Sequence, residues 1–201
     1  MLTKRTTTIL TVLLAASVVL NGILLYRLQQ PASDTETAGA TPDAASQMLL
    51  RAAQAIVVDS NNGDEVSTAA VTRLKEAALS LPEAREQLAF VKSINNTNGE
   101  TVIKLDMVEW FSGDEAKQAA QEDGLNGEDA TPNGYYIRNA DETPVTLTLA
   151  QDAQIYVLDD VKSKLADTQS FIAAADDAVD RLFHVWSLGE QVAAMNEQYR
   201  P

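Results

Sequence analysis

The sequence predicts an α+β protein with a single N-terminal transmembrane helix, a helical hairpin, and then a small bent antiparallel sheet or barrel with two inserted helices. Three observations lead to this fold class. An uncharged apolar run lies near the N-terminus, helical spacing of apolar residues follows it, and from Leu88 the spacing changes to alternate residues. Six or seven short strands joined mostly by tight turns favour a strongly bent sheet or a small barrel.

The uncharged run extends from Ile9 to Tyr26. As a helix it spans about 27 Å, close to the hydrocarbon core of about 30 Å. Lys4 and Arg5 precede it, which favours a cytoplasmic tail of residues 1–8 and an extracytoplasmic location for the bulk of the chain. A cleaved signal peptide is the alternative, but its apolar region is shorter, about 7–15 residues. The run therefore favours a single-pass signal anchor in the cell membrane, with the anchor itself at residues 9–26.

Charge and composition exclude several classes of partner and chemistry. All 29 acidic residues follow Arg27, against 12 Lys and Arg there, a formal charge of −17. Such a field repels nucleic acid, and it is compatible with an envelope protein, a peptide, a cationic wall polymer or simply a solvated acidic surface. The chain has no Cys and one His, His184, which excludes disulfides, Cys-ligated zinc and any site with two His. We predict no cofactor.

The segment between the anchor and the β-rich region divides into a stalk and a helical pair. Residues 27–41 are rich in Ala, Thr and Pro without apolar periodicity, which indicates a flexible stalk. Residues 42–82 have helical apolar spacing, interrupted at 59–63 and ended by Pro82. The apolar faces of this pair are rich in Ala, so we expect the pair to pack on the domain that follows.

Residues 88–201 are predicted to form a small β-rich extracytoplasmic domain. Its first two strands, 88–95 and 100–110, flank an Asn-Gly turn at 96–99. A helix over 113–122 follows Ser112, which begins a capping-box pattern, and an acidic loop comes next. The remaining predicted elements are strands at 135–139, 143–150, 154–159, 182–188 and 191–199, and a helix over 168–181.

Four short segments of this domain occur in a familiar order. They are residues 108–116 (VEWFSGDEA), 132–139 (PNGYYIRN), 152–156 (DAQIY) and 197–201 (EQYRP). This order resembles an uncharacterised family of exported, membrane-anchored small β-rich domain proteins of Gram-positive bacteria, over about residues 90–201. The resemblance implies an anchored extracytoplasmic domain and brings neither an activity nor a ligand. The chain departs from the family in having no lipobox Cys and in its preceding helical pair.

No residue pattern indicates catalysis. Asp106 and Glu109 lie three apart on a predicted strand, so they point to opposite faces. No nucleophile or metalloprotease motif occurs, and His184 lies among apolar residues that favour a packing role. We therefore predict a membrane-anchored extracytoplasmic binding or interaction module that is not an enzyme. The alternative is a carboxylate-dependent hydrolase acting on cell-wall polymer or peptide.

Aromatic residues provide the candidate ligand-binding set, which consists of Trp110, Tyr135, Tyr136 and Tyr156. Such side chains can form a stacking platform for a sugar or a peptide. On alternating strands they also commonly belong to a core or a barrel rim, so both interpretations stay open.

Acidic loops provide only weak metal candidates, namely Asp123, Glu128 and Asp129. Their spacing is not diagnostic, and Ca²⁺ needs six or more organised oxygens, so we favour a solvated acidic loop. Residues 59–65 resemble the start of an EF-hand loop, but the Gly at position 63 is one residue early. The twelfth position is Ala70 where a Glu is required, so we predict no metal site.

Overall fold

The computed structural model describes residues 44–64 and 66–201. The cytoplasmic tail, the anchor and the stalk that the sequence predicts lie outside the described residues, as does the start of the helical pair. Among the helices that are described, none combines the length and the apolarity needed to cross a membrane.

Two helices occupy most of the segment that precedes the β-rich domain. Helix α1 is Ala44–Asn61 and helix α2 is Thr68–Leu79. They pack against each other through Leu50, Ala53 and Ala78, which are almost completely buried. We call this pair the helical hairpin.

The β-rich domain is a closed five-stranded barrel with helices around it. The barrel strands are β1 (Ala84–Thr97), β2 (Glu100–Ser112), β4 (Val145–Asp159), β6 (Leu182–Leu188) and β7 (Gln191–Glu197). Strand β1 pairs with β2 and β6, β2 pairs with β4, β4 pairs with β7, and β7 pairs with β6, which completes the circle. Two short strands extend the barrel: β3 (Tyr135–Arg138) pairs with the end of β2, and β5 (Lys162–Leu165) with the end of β4.

The expectation of a purely antiparallel sheet is wrong at one pair, because β4 and β7 are parallel. A parallel pair needs a long crossover between its strands, and here the chain between Asp159 and Gln191 supplies it. Alternating hydrophobicity predicts which residues face inward but does not indicate the direction of the neighbouring strand. The sequence pattern therefore agrees with β4 and β7 as strands without revealing how they pair.

Strand β4 is continuous where the sequence predicts two strands, 143–150 and 154–159. The polar pair Gln151 and Asp152 interrupts the apolar alternation, and the register against β7 shifts between Leu149 and Gln154. This irregularity bends the strand, so that its first half pairs with β2 and its second half with β5.

The first inserted helix has the predicted length, whereas the second is divided into two shorter helices. Helix α3 (Gly113–Glu122) agrees with the prediction, although Ser112 makes no side-chain capping bond to it, and α4 (Gly127–Ala130) follows. The helix predicted over 168–181 is instead two short helices, α5 (Thr168–Ala173) and α6 (Ala175–Ala178). Asp167 caps α5 by accepting a 2.8 Å hydrogen bond from the Ser170 amide.

Two apolar clusters organise the molecule. The barrel interior is filled from all five strands, with Ile103, Leu105 and Phe183 completely buried, and Phe171 of α5 meets Phe183 edge to face at 5.9 Å. The second cluster joins the helical hairpin to the outer surface of the barrel, centred on the completely buried Trp186. The hairpin therefore covers one side of the barrel.

Candidate functional site

A cleft of about 630 Å³ opens on the barrel between the β1–β2 turn, β4, α5 and the start of β7. Its lining is rich in neutral polar groups, with five amide side chains and three threonine hydroxyls. The amides are those of Asn96, Asn98, Gln151, Gln169 and Gln191. We call this feature the amide cleft.

Strand pairing builds the floor of the amide cleft. Thr101 on β2 pairs with Leu149 on β4, and Thr148 on β4 pairs with Gln191 on β7, so three neighbouring strands run beneath the cleft. The β1–β2 turn forms one wall. Asn98 and Gly99 both have positive φ there, +56° and +83°, as a tight hairpin turn requires.

Hydrogen bonds orient several of the lining side chains. Asn96 Nδ2 donates to Thr101 Oγ1 at 2.8 Å, which ties the turn to its own strand. From the helical hairpin, Gln47 Nε2 donates to Gln191 Oε1 at 2.7 Å. These contacts fix the direction of the two amides before any ligand arrives, which lowers the entropic cost of binding.

The amide cleft carries one formal charge among its lining residues. Glu100 is the single ionisable side chain, and Thr148 Oγ1 lies 3.5 Å from Glu100 Oε1. No Lys, Arg or His belongs to the lining, so the cleft has no cation with which to bind a phosphate or a carboxylate. Its chemistry is that of hydrogen bonding to neutral groups.

The predicted aromatic set is only partly brought together. Trp110 on β2 and Tyr135 on β3 stack with ring centroids 4.3 Å apart and planes 13° apart, and both are half-buried. Tyr136 follows Tyr135 on the strand, and its hydroxyl donates to Asp123 Oδ2 at 2.9 Å. Tyr156 lies on the second half of β4, is 9 % exposed, and does not join the stacked pair.

Tyr156 belongs to the contact region between the barrel and the helical hairpin. Burial, with a smaller contribution from the Asp59 carboxylate of α1, raises the pKa of Tyr156 to about 12. Its hydroxyl contacts Gln154 Oε1 at 3.3 Å. Tyr156 is therefore a packing residue and not part of an exposed stacking platform. This is the second of the two interpretations that the sequence leaves open.

Basic side chains occupy the oxygens of the weak metal candidates. Arg138 Nε donates to Asp123 Oδ2 at 2.9 Å, and its Nη2 reaches Glu122 and the Ala119 carbonyl. Lys117 Nζ donates to Glu128 Oε1 at 2.7 Å, while Asp129 is exposed.

The Arg138 hydrogen bonds hold the pKa values of Asp123 and Glu122 below their usual range. Within the described part of the chain, no group of three or more His, Asp or Glu side chains could hold a metal ion.

The EF-hand-like segment ends α1 and contacts the barrel. Asn62 Nδ2 donates to the Ser163 carbonyl at 2.8 Å, and the Ser163 amide donates to Asn62 Oδ1 at 2.9 Å. This reciprocal pair anchors the end of α1 to β5, so the polar residues there have a structural role.

The other ionisable candidates do not converge. Asp106 is buried and accepts a 3.0 Å hydrogen bond from Asn139, whereas Glu109 is exposed. His184 Nε2 lies 2.9 Å from Gln198 Oε1, and its Nδ1 lies 3.7 Å from Glu86 Oε1. These are contacts between neighbouring strands and the C-terminal segment.

Sequence reasoning missed the amide cleft. Its lining residues come from five separate elements, and no spacing along the chain connects Asn96, Gln151, Gln169 and Gln191. The one usable signal is the polar interruption at Gln151, which marks an irregular strand but no ligand.

Comparisons with known proteins assign neither a family nor a function to the chain. No protein family, no curated protein and no solved structure matches the chain. The resemblance to exported proteins of Gram-positive bacteria therefore stays a prediction from the four sequence segments.

Proposed function

We propose that this protein is a membrane-anchored extracytoplasmic binding module, non-enzymatic, that holds an envelope component in the amide cleft. The charge distribution around the run from Ile9 to Tyr26 supports the anchored, outward-facing topology. The observation that carries the binding function is the amide cleft itself, a concave site with convergent polar groups on a closed barrel.

The cleft chemistry favours binding over hydrolysis. A carboxylate-dependent hydrolase of the glycosidase type needs two carboxyl groups about 5–9.5 Å apart. Glu100 is the one carboxylate among the lining residues of the amide cleft. The alternative hydrolase on cell-wall polymer or peptide therefore has less support than the binding module.

An architectural analogy agrees with this location for the site. In the OB-fold, which is also a five-stranded barrel, the face of the second and third strands and the neighbouring loops bind ligands. Here β2 and β4 are the second and third barrel strands, and the β1–β2 turn borders the cleft. The analogy concerns position alone, because a shared fold does not specify a function.

The experiment compares the intact protein with a variant altered only in the cleft. Full-length protein in lipid nanodiscs is incubated with solubilised envelope material, and the retained components are quantified. Gln151→Ala with Gln169→Ala removes two exposed cleft amides, and Gln118→Ala on α3 is the matched control. We expect the double variant to lose retention and the control to keep it. Equal retention by all three proteins would refute the site.

Topology is tested separately on intact cells. Protease added to protoplasts should remove residues 28–201, because the proposal places them outside the membrane. Complete protection of that part contradicts the proposed orientation.

A further inference from the structure

From the composition of the amide cleft we infer its ligand class: a neutral oligosaccharide that bears hydroxyl and acetamido groups. This inference rests on the proposed binding function and adds the chemistry of the ligand. It starts from the excess of amide and hydroxyl side chains and from the lack of cationic ones in the lining.

Amide side chains match sugar hydroxyls because both kinds of group donate and accept hydrogen bonds. Each Asn or Gln offers two N–H donors and a carbonyl acceptor in one plane. Gln151 and Gln169 are exposed from β4 and α5, on either side of the cleft, and Gln191 contributes from β7. A ligand with hydroxyl groups along its length can pair with all three, as can the amide of an acetamido group.

One apolar side chain of the lining remains accessible to a sugar. Ile172 of α5 is half-buried, whereas Leu149 and Ala150, each 4 % exposed, already belong to the barrel core. Sugar rings and acetamido methyl groups present C–H surface, and its burial against Ile172 contributes hydrophobic stabilisation.

Electrostatics and strand pairing argue against the other ligand classes. An anionic polymer finds no Lys, Arg or His in the cleft. A peptide that binds by strand addition needs an unpaired strand edge, but β4 is paired with β2 at Thr101–Leu149 and with β7 at Thr148–Gln191. A cationic polymer has only Glu100 to contact, so its attraction to the acidic domain should be diffuse and sensitive to salt.

The test uses oligosaccharides that share a backbone and differ in charge. Full-length protein in nanodiscs is titrated into fluorescently labelled chitotetraose in its N-acetylated form, and anisotropy reports binding. The deacetylated tetramer is the cationic comparison. We expect saturable binding of the N-acetylated tetramer that is unchanged by sodium chloride, and weaker, salt-sensitive binding of the deacetylated one. The reverse preference would overturn the inference.

Variants test whether the oligosaccharide binds in the amide cleft. Gln151→Ala with Gln169→Ala should weaken the affinity for the N-acetylated tetramer by about tenfold or more, since two hydrogen bonds to the ligand are lost. Gln118→Ala should leave it unchanged. No saturable binding, or equal binding by the double variant, refutes the ligand class.

The envelope-retention experiment separates the two possible failures. If the double variant loses envelope retention but no neutral oligosaccharide binds, the site stands and the ligand class is wrong. If a sugar-free wall peptide is retained in a cleft-dependent manner, the ligand is a peptide and the inference also fails. If neither experiment depends on the cleft, the proposed function itself is refuted.

Discussion

The interior of the barrel and the contact between the helical hairpin and the barrel are both buried, but they differ in polar content. The interior is filled by apolar side chains such as Ile103 and Phe183, and the barrel backbone pairs from strand to strand around the circle. The hairpin contact contains Gln54, which is 0 % exposed and whose amide has no hydrogen-bond partner among the described residues. Trp186 Nε1 has none there either.

Because of this difference in polar content, one part of the molecule should open before the other. An unpaired buried polar group costs about 1–3 kcal/mol relative to a hydrogen-bonded one. This cost offsets part of the hydrophobic stabilisation of the contact between hairpin and barrel. The apolar cluster inside the barrel contains no such group, and the five strands leave no open edge. The unpaired oxygens on barrel strands, Asp106 Oδ1 and Asn196 Oδ1, belong to residues outside that interior cluster. We therefore expect the hairpin to detach before the barrel unfolds, and the following predictions test that order.

The largest effect is expected in the barrel interior. Phe183→Ala removes a completely buried ring that contacts Phe171, so the free energy of unfolding should fall by about 3–5 kcal/mol. Urea denaturation followed by far-ultraviolet circular dichroism measures it. Leu125→Ala, at a position 49 % exposed, is the control and should change stability by less than about 0.5 kcal/mol. A loss below about 1 kcal/mol for Phe183→Ala contradicts the barrel core.

A smaller effect is expected in the hairpin contact. Leu50→Ala empties a fully buried position on α1, and the cost should be about 2–3 kcal/mol, at the low end for such truncations because the helices can settle. Amide hydrogen exchange should accelerate in α1 and α2 while β1, β2 and β6 stay protected. Acceleration of equal size in the barrel strands would show that hairpin and barrel unfold together.

Alkaline pH probes the same contact through Tyr156. Its folded pKa is raised to about 12 from an ordinary value of 10.0 because burial and the Asp59 carboxylate disfavour the phenolate, so the neutral Tyr156 contributes stability that the ionised one does not. That contribution is fully present below pH 10 and is lost as pH rises towards 12, by about 2 kcal/mol. Melting temperatures across this range should fall for the native protein and fall less for Tyr156→Phe. Identical pH profiles for the two proteins would exclude Tyr156 as the cause.

The smallest effect is expected when the unpaired buried amide of Gln54 in the hairpin contact is replaced by an apolar group. Gln54→Leu replaces an unpartnered buried amide by an apolar group of similar size, so stability should rise by about 1 kcal/mol. The exposed position Gln118 gives the matched control, where Gln118→Leu should be close to neutral. A destabilising Gln54→Leu would mean that this amide is satisfied in solution, and the contrast between the two regions would disappear.

Local sequence signals predict much of the barrel. Asn98 and Gly99 supply the positive φ angles of the β1–β2 turn, and Gly189 follows β6 with φ +58°, so both hairpins are visible in the sequence. The helix at 113–122 is equally clear. These signals work because turn geometry and side-chain alternation depend on neighbours within a few residues.

Contacts between residues that are far apart in the sequence cannot be predicted from such local signals. The sequence predicts a break at Gln151 that β4 does not have, because pairing with β2 and β7 keeps the strand continuous through a register shift. It does not predict the break at Ala174, which separates α5 from α6 beside the contact of Phe171 with Phe183. The acidic loop is a weak metal candidate in the sequence because its carboxylate oxygens are evident there and their partners are not. Its cation, Arg138, lies 15 residues after Asp123 and is brought to it by the pairing of β3 with β2.

Composition and local sequence patterns are enough to predict the α+β class, the positions of most strands, the lack of thiol chemistry and the net negative charge of the residues after Arg27. These properties follow from composition and from interactions between near neighbours. The closure of the barrel, the parallel β4–β7 pair and the amide cleft follow only from the three-dimensional arrangement of the strands and helices. Closure depends on hydrogen bonds between strands far apart in the chain, and the cleft exists only because β4, α5 and β7 bring Gln151, Gln169 and Gln191 around one concave surface.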